Sequence, residues 1–372
     1  MALDFSFTEE HDELRATIRA FLAKHSDERA VREQMAGERG FDPVVWTQLA
    51  QQLGLAGLIV PEEHGGAGMG YVELLVAMEE MGRTLLCAPY LGTAVLSTNA
   101  LLLCADPRTQ KELLPEIAAG RMIVSVAHAE PNGRWDVAGI AMRARAKGEG
   151  FELDGTKAWV LDGHTAGVLL IAARSDEGLG LYRVDAGAEG LTRTLVPSLD
   201  TTRKLATIEL AATPATLVSR GDQTANLERV LALTVAALAA EQVGGAQRCL
   251  EMATDYAKTR LQFGRPIGSY QAIKHKCADM LVAVEFAKSA AYAACFAAAE
   301  NAADLLEATA LAKAYCSEAY FRVAAENIQI HGGMGFTWEH PAHLYFKRAK
   351  ASELLFGDAA HHRERLADCI GI

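Results

Sequence analysis

Two segments of the sequence bring together residue types that can bind phosphate groups. Residues 260–267 have the sequence RLQFGRPI, and residues 329–336 have the sequence QIHGGMGF. The Arg260 guanidinium can give charge-assisted bonds to phosphate oxygens, and adjacent glycines let a backbone approach a diphosphate without an intervening Cβ. Taken singly, Arg260 is also typical of a surface ion pair, and Gly332-Gly333 of an ordinary helix end. Their combination favours a phosphate-bearing ligand.

The elements that must position these segments follow the order helical, β, helical. Apolar residues at helical spacing after Thr8 predict helices over residues 1–120. Short alternating runs between turn residues predict antiparallel strands over residues 121–222. Long alanine- and leucine-rich segments predict a helical bundle over residues 223–372. We therefore predict an α+β fold that is mainly α, with an N-terminal helical domain, a central antiparallel β domain and a C-terminal bundle.

The composition argues against several classes of partner. The net charge of −11 disfavours nucleic acid, because polyanions select basic surfaces. Charges interrupt the alanine-rich helices, so we expect no membrane span. The seven cysteines are dispersed without a Cys-x-x-Cys pair, which indicates reduced thiols and a cytoplasmic protein. No metal site is predicted, since the adjacent His361 and His362 would point in different directions from a helix.

Four motifs carry a resemblance to a known family. They are residues 61–68 (PEEHGGAG), Glu130-Pro131 with Trp159 and Gly163 downstream, residues 260–267 and residues 329–336. In this order and spacing they resemble the acyl-CoA dehydrogenase family over essentially the whole chain. The resemblance implies an α-helical N-terminal domain, a central β domain and a C-terminal four-helix bundle. It also implies tetramers in which FAD lies at a subunit boundary.

The resemblance further implies which residues hold FAD. Arg260 would contact the pyrophosphate, and Gln262 and Phe263 would line the same groove. The adenosine and pyrophosphate end of a neighbouring subunit's FAD would be held by Gln271, Gln329, Gly332 and Gly333. The implied partners are an acyl-CoA substrate, further subunits of the same or a paralogous sequence, and an electron-transfer flavoprotein.

The sequence departs from the family at the catalytic base. The reaction needs a carboxylate to remove the α-proton of the acyl thioester while a hydride leaves the β-carbon. The family most often places a glutamate directly before a glycine near the C-terminus, where this chain has Phe356 before Gly357. Some members carry the glutamate on the first long C-terminal helix instead, and the matching residue here is Thr234. Neither position supplies a base, so no catalytic residue is assigned.

Three positions that the family uses around the flavin ring depart as well. Ala129 and Leu161 stand where the family has hydroxyl donors, and Trp135 stands where it has a small serine. Each lost hydrogen bond is worth about 0.5–1.5 kcal/mol, and overfilling a fitted site costs about 1–3 kcal/mol. The residues that would bind this chain's own flavin ring therefore depart from the family pattern, whereas those that would reach a neighbour's FAD match it.

This asymmetry leads to our main hypothesis, in which the chain is the non-catalytic partner in a heterotetrameric acyl-CoA dehydrogenase and shares FAD with a glutamate-bearing paralogue. One alternative is a self-sufficient homotetramer with a relocated base, either Glu241 or Asp358. Both candidates also have structural interpretations, as an arginine-paired helix glutamate and as the N-cap of the last helix. A non-enzymatic scaffold without flavin and a flavin monooxygenase of the same fold are further alternatives.

Overall fold

The computed structural model describes residues 7–372 of the chain, so the predicted N-terminal region is described from residue 7 onward. The helices are α1 (Glu9–His25), α2 (Glu28–Ala36), α3 (Pro43–Gln51), α4 (Tyr71–Arg83), α5 (Thr98–Cys104), α6 (Pro107–Ala118), α7 (Thr224–Thr259), α8 (Gln271–Ala299), α9 (Leu305–His331), α10 (Ala342–Leu354) and α11 (Ala359–Ile370). A π-helix, Tyr90–Ser97, precedes α5. The strands are β1 (Val124–Ala127), β2 (Ala144–Lys147), β3 (Gly150–Leu161), β4 (Val168–Ser175), β5 (Gly178–Asp185), β6 (Leu191–Leu195), β7 (Leu205–Leu217), β8 (Leu261–Gln262) and β9 (Arg265–Pro266).

The predicted α+β class is confirmed, with helices before and after a central sheet. The sheet is mixed rather than antiparallel throughout, because β1 pairs in parallel with β4. Helix α10 is not one of the long alanine- and leucine-rich segments from which the bundle was predicted. Its apolar period is hidden because Arg348 and Ser352 face inward and are as buried as its apolar residues.

The chain forms two compact units. Unit 1 consists of the chain up to Arg32, Tyr71–Leu86 and Val235–Ile372, and unit 2 consists of Glu33–Gly70 and Cys87–Thr234. The helices of the N-terminal region therefore contribute to both units.

Unit 2 is built on the central sheet. The strand order is β1-β4-β5-β7-β3-β2, and β6 pairs with β7. Its core is formed by inward-facing residues of successive strands, including Leu153, Leu169, Ile171, Tyr182 and Ile208. Strands β2 and β6 are short and largely lack a buried face.

Unit 1 is built around α9, which packs against α8, α10 and α11. Helices α7 and α8 are long and apolar enough to cross a membrane by length and composition alone, contrary to our expectation. Of the apolar window in α7, however, 94% is buried inside the protein, as is typical of a core helix.

Glycines allow α4 and α7 to touch backbone to backbone within unit 1. A Cβ at Gly82 would lie 2.0 Å from the carbonyl oxygen of Glu241, and a Cβ at Gly244 would lie 1.8 Å from that of Glu79. This approach accompanies ion pairs between neighbouring helices: Arg83 on α4 donates to both carboxylate oxygens of Glu251 on α7. The close contact therefore fixes how the N-terminal helices of unit 1 meet its C-terminal helices.

We predict that Gly244→Ala lowers the free energy of unfolding by about 3 kcal/mol, since the new methyl group meets backbone atoms that cannot move aside. Urea unfolding measures the change. Gly187→Ala is the matched control, because a Cβ there meets nothing within 4 Å, and it should change stability by less than about 0.5 kcal/mol. Equal effects of the two substitutions would contradict the predicted contact.

Candidate flavin-nucleotide site and base position

The predicted Arg260 segment is a hairpin that follows α7. Strands β8 and β9 pair through Leu261 with Pro266 and Gln262 with Arg265. The Arg265 guanidinium lies 4.0 Å from the centroid of the Tyr270 ring, and the Tyr270 hydroxyl donates to the Gln262 carbonyl oxygen at 3.0 Å. The hairpin is therefore braced by the segment that leads into α8.

The second predicted segment is a turn at the end of α9, formed by Gly332–Phe336 and called the glycine turn below. Gly332 has φ 61° and ψ −138°, a conformation that residues with a Cβ rarely adopt. A Cβ added at Gly332 or Gly333 would meet nothing within 4 Å, so this backbone faces open space. The turn can therefore be approached closely by a ligand.

The structure brings the hairpin and the glycine turn to the same region of unit 1. Tyr256 lies one helical turn before Arg260, and its ring stacks on His331 with centroids 4.3 Å apart. His331 directly precedes Gly332. All seven predicted cofactor residues are exposed, and we call them the exposed site: Arg260, Gln262, Phe263, Gln271, Gln329, Gly332 and Gly333.

The polar side chains of the exposed site form no hydrogen bond or ion pair with the residues that the structure describes. Within residues 7–372, the Arg260 guanidinium has no ion-pair partner, and the side-chain amides of Gln262, Gln271 and Gln329 make no hydrogen bond to protein. Apolar rings beside them are also in solvent: Phe263 is 92% exposed and Phe336 is 85% exposed. Free donors, an open glycine backbone and uncovered rings fit a dinucleotide phosphate covered by a second subunit.

At the base position, a buried phenylalanine sits in a constrained turn. Phe356 is 4% exposed and has φ 61°, and Gly357 has φ 99°. Fully buried Lys313 donates to the carbonyl oxygens of Glu353 at 2.8 Å and Gly357 at 3.0 Å. His362 donates from Nε2 to the Phe356 carbonyl oxygen at 3.0 Å. The backbone on both sides of Phe356 is thus held in place, and its side chain cannot accept a proton.

Burial governs the protonation of the groups that hold this turn. It lowers the pKa of Lys313 to about 7 and the pKa of His362 to about 3. His362 is therefore neutral at physiological pH. Lys313 was not predicted as a site residue, since its only signal is a lysine in the run of small and apolar residues that begins α9.

Glu241 has a structural partner inside unit 1. Its Oε1 lies 2.9 Å from the Arg348 guanidinium of α10, and both side chains are buried. This is the arginine-paired arrangement that we weighed against a role as base. Thr234, at the other glutamate position of the family, donates its hydroxyl to the Val230 carbonyl oxygen at 2.8 Å.

Asp358 is exposed and caps the last helix. Its Oδ1 accepts from the His361 backbone N–H at 2.9 Å, at the start of α11. This bond satisfies one of the free N–H groups of the helix terminus, which is the usual role of an N-cap aspartate.

In unit 2, the positions predicted for this chain's own flavin ring are apolar or filled. Ala129 and Leu161 are buried and offer no hydroxyl. The indole of Trp135 packs against that of Trp159, with centroids 5.6 Å apart and planes at 33°. Trp159 has φ 53°, so its placement is imposed by its surroundings. These residues do not fit an isoalloxazine ring in the manner expected of the family.

The glutamate of the Glu-Pro motif has a structural role. Glu130 pairs with fully buried Lys157 at 2.7 Å and also accepts from the backbone N–H of Met142 at 2.9 Å. Burial opposes the charge of Glu130, yet the bonds from Lys157 and the backbone hold its pKa below the ordinary value. The motif therefore anchors the loop after β1 to β3. No group of His, Cys, Asp or Glu side chains within residues 7–372 could hold a metal ion.

Comparison with known families identifies the class of the protein. The acyl-CoA dehydrogenase N-terminal domain family matches residues 8–121, the middle domain family residues 125–214 and the C-terminal domain family residues 225–371. The chain belongs to the acyl-CoA dehydrogenase family and is an oxidoreductase of that family, as its motifs predicted.

Similar proteins cover nearly the whole chain. Acyl-CoA dehydrogenase IpdE2 of Mycobacterium tuberculosis is 37% identical over 347 residues, which is 93% of each chain. The solved Tcur3481-Tcur3483 steroid ACAD, a variant form, is 33% identical with a TM-score of 0.89 and 98% coverage of both chains. A chain of the ChsE4-ChsE5 complex from Mycobacterium tuberculosis is 29% identical with a TM-score of 0.91 and 99% coverage of both chains.

We predict that Arg348→Met lowers the free energy of unfolding by about 3–5 kcal/mol, because it leaves the Glu241 carboxylate buried without its cation. The double substitution Glu241→Met with Arg348→Met should recover most of that loss, since it removes both charges. Urea unfolding of the two variants measures the difference. If the single and double variants are equally stable, Glu241 is not held by this ion pair.

Proposed function

We propose that this chain is the non-catalytic subunit of a heterotetrameric acyl-CoA dehydrogenase, with two copies of each subunit. A glutamate-bearing paralogue supplies the base and the pocket for the flavin ring, and this chain supplies the exposed site to the shared FAD. One observation carries the proposal: the base position is filled by buried Phe356, whereas the residues directed at a neighbour's FAD are exposed and unpaired.

The chemistry of dehydrogenation explains why the missing carboxylate matters. The thioester loses a proton from its α-carbon to a base, and bound FAD takes the hydride from the β-carbon. Phe356 has no lone pair with which to take that proton. The Glu241 carboxylate is paired with Arg348, and the Asp358 carboxylate caps the N-terminus of α11. The proton transfer therefore belongs to the partner subunit.

The residues of this chain bind and orient the cofactor's nucleotide end. The Arg260 guanidinium would pair with pyrophosphate oxygens, and the open backbone of the glycine turn would lie against them. The glutamine amides would hydrogen-bond polar groups of the nucleotide. Phe263 and Phe336, now in solvent, would be covered by the partner.

The comparisons support a heteromeric assembly and a bulky acyl group. Two solved relatives are each named for a pair of different chains, Tcur3481-Tcur3483 and ChsE4-ChsE5, and the first is named as a steroid ACAD. We accordingly propose an acyl-CoA thioester with a bulky, steroid-type acyl group as substrate of the complex. An electron-transfer flavoprotein would then accept the electrons, in the cytoplasm.

Flavin content gives the first test of this proposal. The chain expressed alone should be colourless, because its own ring site is filled by Trp135 and offers no hydroxyl at Ala129 or Leu161. Co-expressed with its glutamate-bearing paralogue, it should copurify in a complex with half as many flavins as subunits. Absorbance and mass of the purified complex measure this ratio. A stoichiometric flavin in the lone chain, together with thioester oxidation, would instead identify the homotetrameric enzyme.

The second test concerns Arg260. We expect Arg260→Gln to raise the Kd of the complex for FAD about 10- to 100-fold, because charge-assisted hydrogen bonds to phosphate are worth about 1.5–3 kcal/mol. Lys258→Gln is the matched control, since it removes the same charge two residues earlier from a side chain that is 75% exposed. Its Kd should stay within about twofold of the wild-type value. Equal losses in both variants would indicate a general charge effect rather than pyrophosphate binding.

A further inference from the structure

Three aromatic rings form a stack against the glycine turn. Tyr256 of α7 lies nearly parallel to His331 at the end of α9, with centroids 4.3 Å apart and planes at 26°. His340, which precedes α10, packs on His331 with centroids 4.2 Å apart. The Tyr256 hydroxyl also lies 4.0 Å from Sδ of Met334 within the turn. The stack therefore joins the end of α7 to the end of α9 and to the segment that precedes α10.

The stack sets where the two halves of the exposed site lie. The backbone N–H of Arg260 donates to the Tyr256 carbonyl oxygen at 2.8 Å, so Arg260 leaves α7 directly from the stacked tyrosine. In the other half of the exposed site, the glycine turn packs tightly against the end of α9. A Cβ at Gly335 would lie 2.9 Å from Cβ of His331. A shift of His331 against Tyr256 would therefore move the glycine turn relative to Arg260.

Backbone contacts hold both rings: the contact of His340 requires its neutral form, whereas the contact of His331 by itself raises the pKa, which burial outweighs. Nδ1 of His331 donates to the Asn327 carbonyl oxygen at 2.8 Å, and Nδ1 of His340 accepts from the Ala342 backbone N–H at 3.2 Å. Burial lowers the pKa of His331, which is 5% exposed, and burial together with neighbouring His331 lowers the pKa of His340. Two cationic rings at this separation would repel each other in a site with little solvent.

We propose that the stack of Tyr256, His331 and His340 is a positioning device that holds Arg260 and the glycine turn at the spacing FAD requires, and that it does so only while both histidines are neutral. This inference rests on the proposed function, because it takes the exposed site to be the FAD nucleotide site. His331 and His340 act through the turn and touch no reacting atom.

The surrounding charges set the direction of the pH effect. Glu28 on α2 favours a proton on His340, whereas His331 and His343 oppose it, and Arg32 and Lys347 act against a proton on His343. A histidine whose folded pKa lies below its ordinary value of about 6.5 stabilises the folded arrangement above that pH. The contribution is lost as the pH falls through the lowered pKa. FAD retention should therefore weaken on acidification.

The experiment measures the Kd for FAD of the complex with its glutamate-bearing partner, by ultrafiltration between about pH 5 and pH 8. For the wild-type complex we expect Kd to rise about tenfold towards the acidic end, the scale of one aromatic contact. The double variant His331→Phe with His340→Phe keeps the rings but has no proton to gain, so its Kd should stay flat with pH and near the wild-type value at pH 8. His25→Phe, a histidine at the end of α1, is the control and should follow the wild-type profile.

His331→Ala removes the central ring and should weaken FAD binding about tenfold at every pH. The melting temperature of each complex at pH 8 distinguishes loss of FAD from unfolding, and the phenylalanine variant tests the inference even where the alanine variant is unstable. Identical pH profiles for the wild type and the double phenylalanine variant would overturn the inference. A complex that holds no FAD at any pH would instead refute the proposed function.

Discussion

The burial of Lys313 is the interaction on which the C-terminal part of unit 1 depends. An amino group removed from water must find hydrogen-bond acceptors, because a buried polar group without a partner is costly. Lys313 finds them in the Ser317 hydroxyl, 3.2 Å away, and in the carbonyl oxygens of Glu353 and Gly357. These carbonyl oxygens flank Phe356. One buried amino group therefore fixes the path of the backbone through the base position.

The conformation of Phe356 shows that its surroundings impose the path of the backbone. A left-handed φ costs a residue with a Cβ about 1–2 kcal/mol, and Phe356 adopts φ 61° without the freedom of glycine. Its carbonyl oxygen is bonded to His362, and its side chain is buried. The backbone of this turn is thus held in place, while the side chain of Phe356 offers no base. Backbone acceptors define the position of this turn, and the side chain defines its reactivity. The two properties are therefore separable.

The sequence predicted those features that depend on local patterns. The long helices, the strands with a buried face and the glycine turn all follow from periodicity or from glycine. Features that depend on one distant partner could not be predicted. The pairing of Glu241 with Arg348 joins residues 107 positions apart, and neither residue reveals the other. The buried face of α9, with Lys313, Ser317, Tyr320, Asn327 and His331 at helical spacing, is polar where a period-based prediction expects apolar residues.

The two sets of residues expected to bind flavin differ in what their side chains contact. In unit 2, Trp135 and Trp159 satisfy one another, so their surface is stable without a ligand. In unit 1, the exposed site leaves a guanidinium, three amides and the Phe263 ring in water, beside the exposed Phe336 ring. Covering the two rings lowers the free energy. Because burial of the exposed rings on binding is favourable, the second set favours association. This contrast supports the proposal that the chain contributes nucleotide-binding residues to a FAD shared with another subunit.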